Sequence, residues 1–189
     1  MVTIESSPVH NRTDALEGYK DSVSKEDTDR TPNGICRKDG QILIRPMTEA
    51  DYEKVYELWM TIKGFGIRSI DDSAEGIRRF IRRNPTTSMV ALDGDRIVGA
   101  ILCGHDGRRG CFYHVCVHED YRKHGIGKRM AVECMRALQA EQINKVSLIA
   151  FKSNEVGNRF WRSVGWTFRE DLNYYDFTLN DANITRFNQ

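Results

Sequence analysis

Residues 113–128 read Tyr-His-Val-Cys-Val-His-Glu-Asp-Tyr-Arg-Lys-His-Gly-Ile-Gly-Lys, and the reading of this stretch decides the fold. It opens as an apolar run of β-formers, breaks at a polar elbow, and passes through Gly125 and Gly127 into a long amphipathic pattern of helical period. That is a strand feeding a tight loop that opens a helix. The first turn of a helix carries unpaired N–H groups at the positive end of its dipole, and two glycines let an anion approach that backbone closely. A phosphate or pyrophosphate is the expected guest. Two common phosphate loops are excluded by spacing. A Walker loop needs glycine where Arg122 stands, and a dinucleotide fingerprint needs glycine or alanine where Met130 stands.

The surrounding composition bounds the rest. A chain of 189 residues with 40% hydrophobic and 29% charged residues suits one globular domain plus a tail. A formal net charge of +1 provides no global field favouring nucleic acid or an anionic membrane, and no run approaches the roughly 18 apolar residues of a membrane span. Neither partner is expected. Five cysteines without a Cys-x-x-Cys pair read as reduced thiols, and no secretory or transit signal is evident, so the expected location is cytoplasmic.

Working outward, residues 1–40 are polar and aperiodic, a flexible leader with at most a short helix over residues 13–23; the folded domain is expected over residues 41–189. Ile42-Leu43-Ile44-Arg45 reads as a first strand stopped by Pro46, and Thr48-Glu-Ala-Asp51 as the start of a helix reaching about Thr61. Asp72-Ser-Ala-Glu75 opens a second helix that ends at Asn84-Pro85. Its arginines, Arg78, Arg79, Arg82 and Arg83, read as a solvated face or as an anion-binding group. Antiparallel strands are expected over residues 88–92, 96–103 and 111–117, the first two joined by Asp93-Gly-Asp95. A helix then runs to about Ala140. Residues 146–151 are apolar on both faces, as in a central strand, and Ser153-Asn154 caps a further helix stopped by Gly165. Two last strands are expected near residues 166–169 and 174–179. The order predicts an α/β (α+β) fold, a mixed sheet with helices on both faces.

Two motifs on these elements carry a resemblance. Arg122-x-x-Gly125-x-Gly127 resembles the acyl-CoA signature of the Gcn5-related N-acetyltransferase (GNAT) family, and Asn154, Gly157, Phe160-Trp161 and Gly165-Trp166 resemble its second motif. The resemblance covers about residues 41–179. It implies a mostly antiparallel central sheet of six to seven strands and an acetyl-CoA-dependent N-acetyltransferase, with acetyl-CoA as acyl donor. The acceptor would be a primary amine of a small molecule or peptide, attacking the thioester directly; the alternative is a non-catalytic acyl-CoA-binding or regulatory module. It also implies that backbone from Arg122, Lys123, His124, Gly125, Ile126, Gly127 and Lys128 holds the pyrophosphate. The strand residues Val115, Cys116 and Val117 would lie along the pantetheine arm, and Asn154 and Trp161 would face the cofactor. A homodimer is a further implication.

An attacking amine must shed a proton, and the departing thiolate is helped by a donor. Many relatives place a glutamate where this chain has Tyr113 and a tyrosine acid where it has Trp161, whose indole is no proton source. The catalytic candidates are therefore Tyr113 and His114, with Tyr174 and Tyr175 in reserve. Strand alternation predicts that Tyr113 and His114 point to opposite faces, and His114 reads either as a core histidine or as a base. His114, Cys116 and His118 lack further ligand spacing, so no metal site is expected. Cys116 reads as packing rather than as a nucleophile. Asp71, Asp72 and Glu75, near the expected acceptor site, would suit a cationic amine, and the arginines an acidic acceptor.

Overall fold

The computed structural model describes residues 42–189; the leader and its short helix lie outside the described residues. The chain order is β1 (Leu43–Pro46), a 3-10 turn (Glu49–Asp51), α1 (Tyr52–Met60), β2 (Gly66–Arg68), α2 (Ala74–Arg83), β3 (Met89–Asp93), β4 (Arg96–His105) and β5 (Gly110–Val117). A second 3-10 turn (Glu119–Tyr121) precedes α3 (Ile126–Ala140), β6 (Val146–Leu148), α4 (Glu155–Ser163) and β7 (Thr185–Phe187). Local chemistry sets several of these boundaries. The Ser73 hydroxyl accepts from the Gly76 N–H at 3.1 Å to start α2, and Asn154 Oδ1 accepts from the Gly157 N–H at 2.9 Å to start α4. Gly165, at φ +83°, takes the left-handed conformation that ends α4.

The central sheet has five strands in the order β1-β3-β4-β5-β6, antiparallel throughout except for the parallel β5–β6 pair. Buried side chains form two clusters, one on each face. On one face Met130, Cys134 and Leu138 of α3 and Trp161 of α4 pack on Ile101, Cys103 and Phe112. On the other, Val55 and Trp59 of α1 and Ile77 and Ile81 of α2 pack on Ala100, Leu102 and Cys116. A sheet whose central strands contribute to both clusters has apolar residues at consecutive positions, and that is the pattern of β4. Among the described residues no helix is long and apolar enough to cross a membrane.

Three expectations are corrected. Residues 146–151 are not a central strand: only Val146–Leu148 is a strand, it lies at the sheet edge, and Ile149 and Phe151 are exposed. No strand forms over residues 166–169 or 174–179; Tyr175, Phe177 and Leu179 are exposed. In their place β7 pairs antiparallel with β2, a strand not anticipated in the region of Gly64 and Gly66. Among the described residues the central sheet accordingly has five strands rather than six or seven.

Candidate active site

The head of α3 is built by backbone. Lys123 and Gly125 have φ of +66° and +70°, so the chain turns twice through the left-handed region before the helix begins. The first intrahelical bond runs from the Arg129 N–H to the Gly125 carbonyl at 2.9 Å, and no side chain caps the turn. The N-terminal amides of a 15-residue helix are thus presented without a side chain of the helix's own in front of them. The two glycines serve different ends. A Cβ on Gly125 would meet nothing within 4 Å, so its requirement is conformational, whereas a Cβ on Gly127 would stand 3.4 Å from the Phe160 ring. Arg122 folds back, its Nε donating to the Val117 carbonyl at 3.1 Å, which ties the loop to the end of β5. Lys123 and His124 are exposed, and Ile126 is buried under the turn.

Beside this helix head the sheet opens. β6 pairs with β5 only from Gly110 to Phe112, and β5 continues to Val117 with no β6 partner. Among the described residues the edge of residues 113–116 that faces away from β4 therefore has no strand partner, and an extended group can pair along it. These features fit a pyrophosphate at the helix head and an extended arm along β5. Val115 and Val117 turn their side chains towards the α3 face, and Cys116 is buried on the other. Burial pushes the Cys116 thiol up to about 12, so it stays protonated. Asn154 is exposed with its Oδ1 committed to capping α4. Trp161 is buried, 4.8 Å from the Trp166 ring and 6.1 Å from Phe112, and acts there as core.

The catalytic candidates are arranged in a way that strand alternation does not predict. The β4–β5 register shifts between Ala100 and Leu102, which pair with Cys116 and Tyr113. Between these pairs one residue of β4, Ile101, faces two of β5, His114 and Val115, which is a bulge, and His114 within it has φ +46°. The bulge puts Tyr113 and His114 on the same face, correcting the expectation of opposite faces. Tyr113 meets Phe80 of α2 edge-on at 6.0 Å. His114 lies against Trp59 of α1 and Phe65, with ring centroids 4.8 and 4.9 Å away.

His114 Nε2 is 2.7 Å from Asp72 Oδ1, and the carboxylate is buried. Its Nδ1 makes no hydrogen bond to a described residue. Among the described residues Trp59 Nε1 is the only buried side-chain polar atom without a partner, so Nδ1 reaches solvent. The Trp59 N–H is itself a buried, unmatched donor on the indole that abuts the imidazole. Tyr113 is half-exposed; burial, a hydrogen bond with Cys111 and the neighbouring Tyr174 push its hydroxyl up to about 12. Tyr174 and Tyr175 are exposed, and of these Tyr174 is near enough to influence Tyr113.

The sequence places Asp72 at a helix start and among the carboxylates that would suit a cationic amine, and Trp59 in a helical pattern, and nothing in it connects either with His114. Their only sequence signals are polarity and helical spacing, which carry no information about a partner on another element. Some of the charged groups between α1 and the end of α2 are also engaged. Asp71 accepts from Asn183 Nδ2 at 2.7 Å and stands 3.6 Å from Arg68, while Arg82 forms a two-bond pair with Glu49.

Residues 52–166 match the Acetyltransferase (GNAT) family. The chain belongs to this family. An acetyltransferase of Sodalis glossinidius is 31% identical over 129 residues, 68% of this chain and 89% of that one. One of Pectobacterium atrosepticum is 30% identical over 112 residues, 59% of this chain and 78% of that one. Among solved structures, the PaiA N-acetyltransferase of Thermoplasma acidophilum in complex with coenzyme A is similar with a TM-score of 0.60 at 16% identity, covering 77% of this chain and 97% of that one. Ard1 of Thermoplasma volcanium gives 0.58 at 22% identity, covering 76% and 93%. These structures share the GNAT fold. Family membership makes this chain an acetyltransferase with acetyl-CoA as acyl donor.

Proposed function

We propose that this GNAT protein is an N-acetyltransferase that moves the acetyl group of acetyl-CoA directly to a primary amine of a small molecule or peptide. The observation that carries the reading is the conjunction of an uncapped helix head at Gly125 with a β5 edge left open beyond Phe112. Arg122 through Lys128 would hold the pyrophosphate and the free edge of β5 the pantetheine arm, which leaves the thioester near the bulge that carries Tyr113 and His114. His114 takes the proton that the ammonium group must lose, directly or through water. The amine nitrogen then forms the new C–N bond at the thioester carbon, and the C–S bond breaks.

The magnitudes decide what Tyr113 can do. A phenol at about 12 is a weaker acid than a thiol of ordinary pKa, about 8.5, so full proton transfer to the departing thiolate is uphill by roughly 3 to 4 pK units. Tyr113 is better suited to donating a hydrogen bond to the departing sulfur, with solvent supplying the proton. The alternative, a non-catalytic acyl-CoA-binding module, is favoured by one observation: Trp161 is packed into the core at the position where relatives often carry the tyrosine acid.

The test compares Gly125→Asp with Gly125→Asn by calorimetric titration with acetyl-CoA. Asn and Asp tolerate a left-handed φ better than other side chains, so the pair differs chiefly in charge at the helix head. The Asp variant is expected to lose at least about tenfold more affinity than the Asn variant. Equal binding by the two would remove the pyrophosphate assignment. Thiol release across a panel of primary amines then separates the enzyme from the binding module.

A further inference from the structure

The base assigned above lies in a conformation that the strand alone does not provide. His114 is a non-glycine residue in the left-handed region, a strained conformation that persists only where surrounding contacts over-determine it. The contacts that hold it come from the end of α1 and from the loop between α1 and α2. Phe65 and Trp59 flank the ring, and Asp72 closes on Nε2 at 2.7 Å.

Asp72 is itself held rigidly. Its Oδ2 accepts from the Arg68 N–H at 2.7 Å, its own N–H donates to the Arg68 carbonyl at 3.1 Å, and its carbonyl accepts from the Tyr52 hydroxyl at 3.0 Å. The next residue, Ser73, caps α2. The loop is stapled in turn by the C-terminus. Asn183 Oδ1 accepts from the Ile70 N–H, Ser69 and Ile184 exchange hydrogen bonds, and Asn188 Nδ2 donates to the carbonyls of Trp59 and Ile62. A carboxylate this buried is costly to desolvate, and here both of its oxygens are matched, one to a backbone N–H and one to the imidazole.

We propose that Asp72 is a positioning residue that locks His114 in the Nε2–H tautomer, so that the unprotonated Nδ1 is the nitrogen turned to the acceptor amine. This rests on the reading of His114 as the base. The carboxylate can only accept at Oδ1, so a neutral ring must donate from Nε2, and the nitrogen that reaches solvent is then the basic one. Asp72 never touches the amine. It acts by fixing which nitrogen is basic, where that nitrogen points, and how well the imidazolium formed in the reaction is stabilised.

The same geometry predicts what Asn at this position does. The Arg68 N–H needs an acceptor, so the single amide oxygen of an Asp72→Asn variant turns to it and the NH2 faces His114 Nε2. That nitrogen must then accept, and the ring inverts to the Nδ1–H tautomer, with its basic nitrogen turned inward.

The experiment is long-range proton–nitrogen NMR of the imidazoles in the 15N-labelled full chain, with His114→Gln to identify the signals. In wild type above the histidine transition, His114 should show Nε2–H and an unprotonated Nδ1; in Asp72→Asn the pattern should invert. Acetyl-CoA affinity should stay within about twofold in both, while kcat with an amine acceptor falls by at least about a hundredfold, mainly without a rise in KM. Wild type showing Nδ1–H, or Asp72→Asn retaining either the wild-type tautomer or the wild-type rate, overturns the proposal. If the variant does not fold, the wild-type tautomer alone decides. Acetyl-CoA binding without turnover of any amine, with the Nε2–H tautomer intact, would sink the catalytic reading while leaving the Asp72 lock in place, so the two failures are distinguishable.

Discussion

The two halves of the candidate site are made in opposite ways. The helix head at Gly125 is local: its turn, its glycines and its first hydrogen bond, from Arg129 to Gly125, lie within a few residues of one another. The side that holds His114 is assembled from distant chain. Asp72 and His114 are 42 residues apart, and the Asn188 amide that grips the Trp59 carbonyl comes from 129 residues away. A short backbone motif can present amides to an anion with little help from the rest of the fold. Orienting an imidazole needs packing from several elements, so the His114 side depends on the whole fold.

That contrast can be tested by damage confined to one half. Asn188→Ala removes two hydrogen bonds from Nδ2, while the Trp59 and Ile62 carbonyls each keep a backbone donor, the N–H of Ile62 and of Phe65. A loss of about 1 to 3 kcal/mol is expected in urea denaturation, together with slower acetyl transfer. Acetyl-CoA affinity should remain within about twofold. If affinity falls in step with stability, the two halves are not independent and the comparison fails.

Acid sharpens the same division. The Asp51 carboxylate joins the end of β1 to the start of α1, the helix that carries Trp59. Burial pushes its pKa up, but the Arg45 guanidinium, with both of its bonds at 2.7 Å, and the Thr48 N–H and hydroxyl outweigh that and hold it at about 2. Its unfolded value is about 3.9, so the folded pKa is depressed and the group stabilises the fold above that value. This contribution is lost as pH falls towards 2. Asp51→Asn should cost about 1 to 2 kcal/mol at pH 7, after allowance for partial solvent screening, and the gap from wild type should narrow below pH 4. A gap that stays constant from pH 7 to pH 3 would show that shape rather than charge holds this junction.

The smallest effect is expected between the halves, at Cys116. Its thiol is buried and protonated, so Cys116→Ala should leave kcat and acetyl-CoA affinity within about threefold, and the native thiol should resist iodoacetamide. A loss of acetyl transfer beyond about a hundredfold, with the fold and affinity intact, would restore the nucleophile reading.

Much of the fold was legible because its signals are local. Asn154 caps the helix its position announced, α2 starts within Asp72-Ser-Ala-Glu75 although Ser73 is its cap, Gly165 stops the helix before it, and the β3–β4 hairpin turns within Asp93-Gly-Asp95. The failures occurred where an apolar run needs a partner to become a strand. Residues 146–151 have strand composition along their length, yet only Val146, Ser147 and Leu148 find β5 beside them. Thr185-Arg186-Phe187 is no apolar run, yet it forms β7, and Phe187 pairs with Gly66, a glycine whose Cβ, had it one, would collide with that ring at 2.9 Å.

Within the candidate site, the helix head follows from local sequence: glycine is what a left-handed turn admits most cheaply, and a helix start leaves amides to present wherever it occurs. Only the tertiary structure decided that Tyr113 and His114 share a face. A bulge is a property of two paired strands, and an imidazole takes its direction from a carboxylate that folding brings to it.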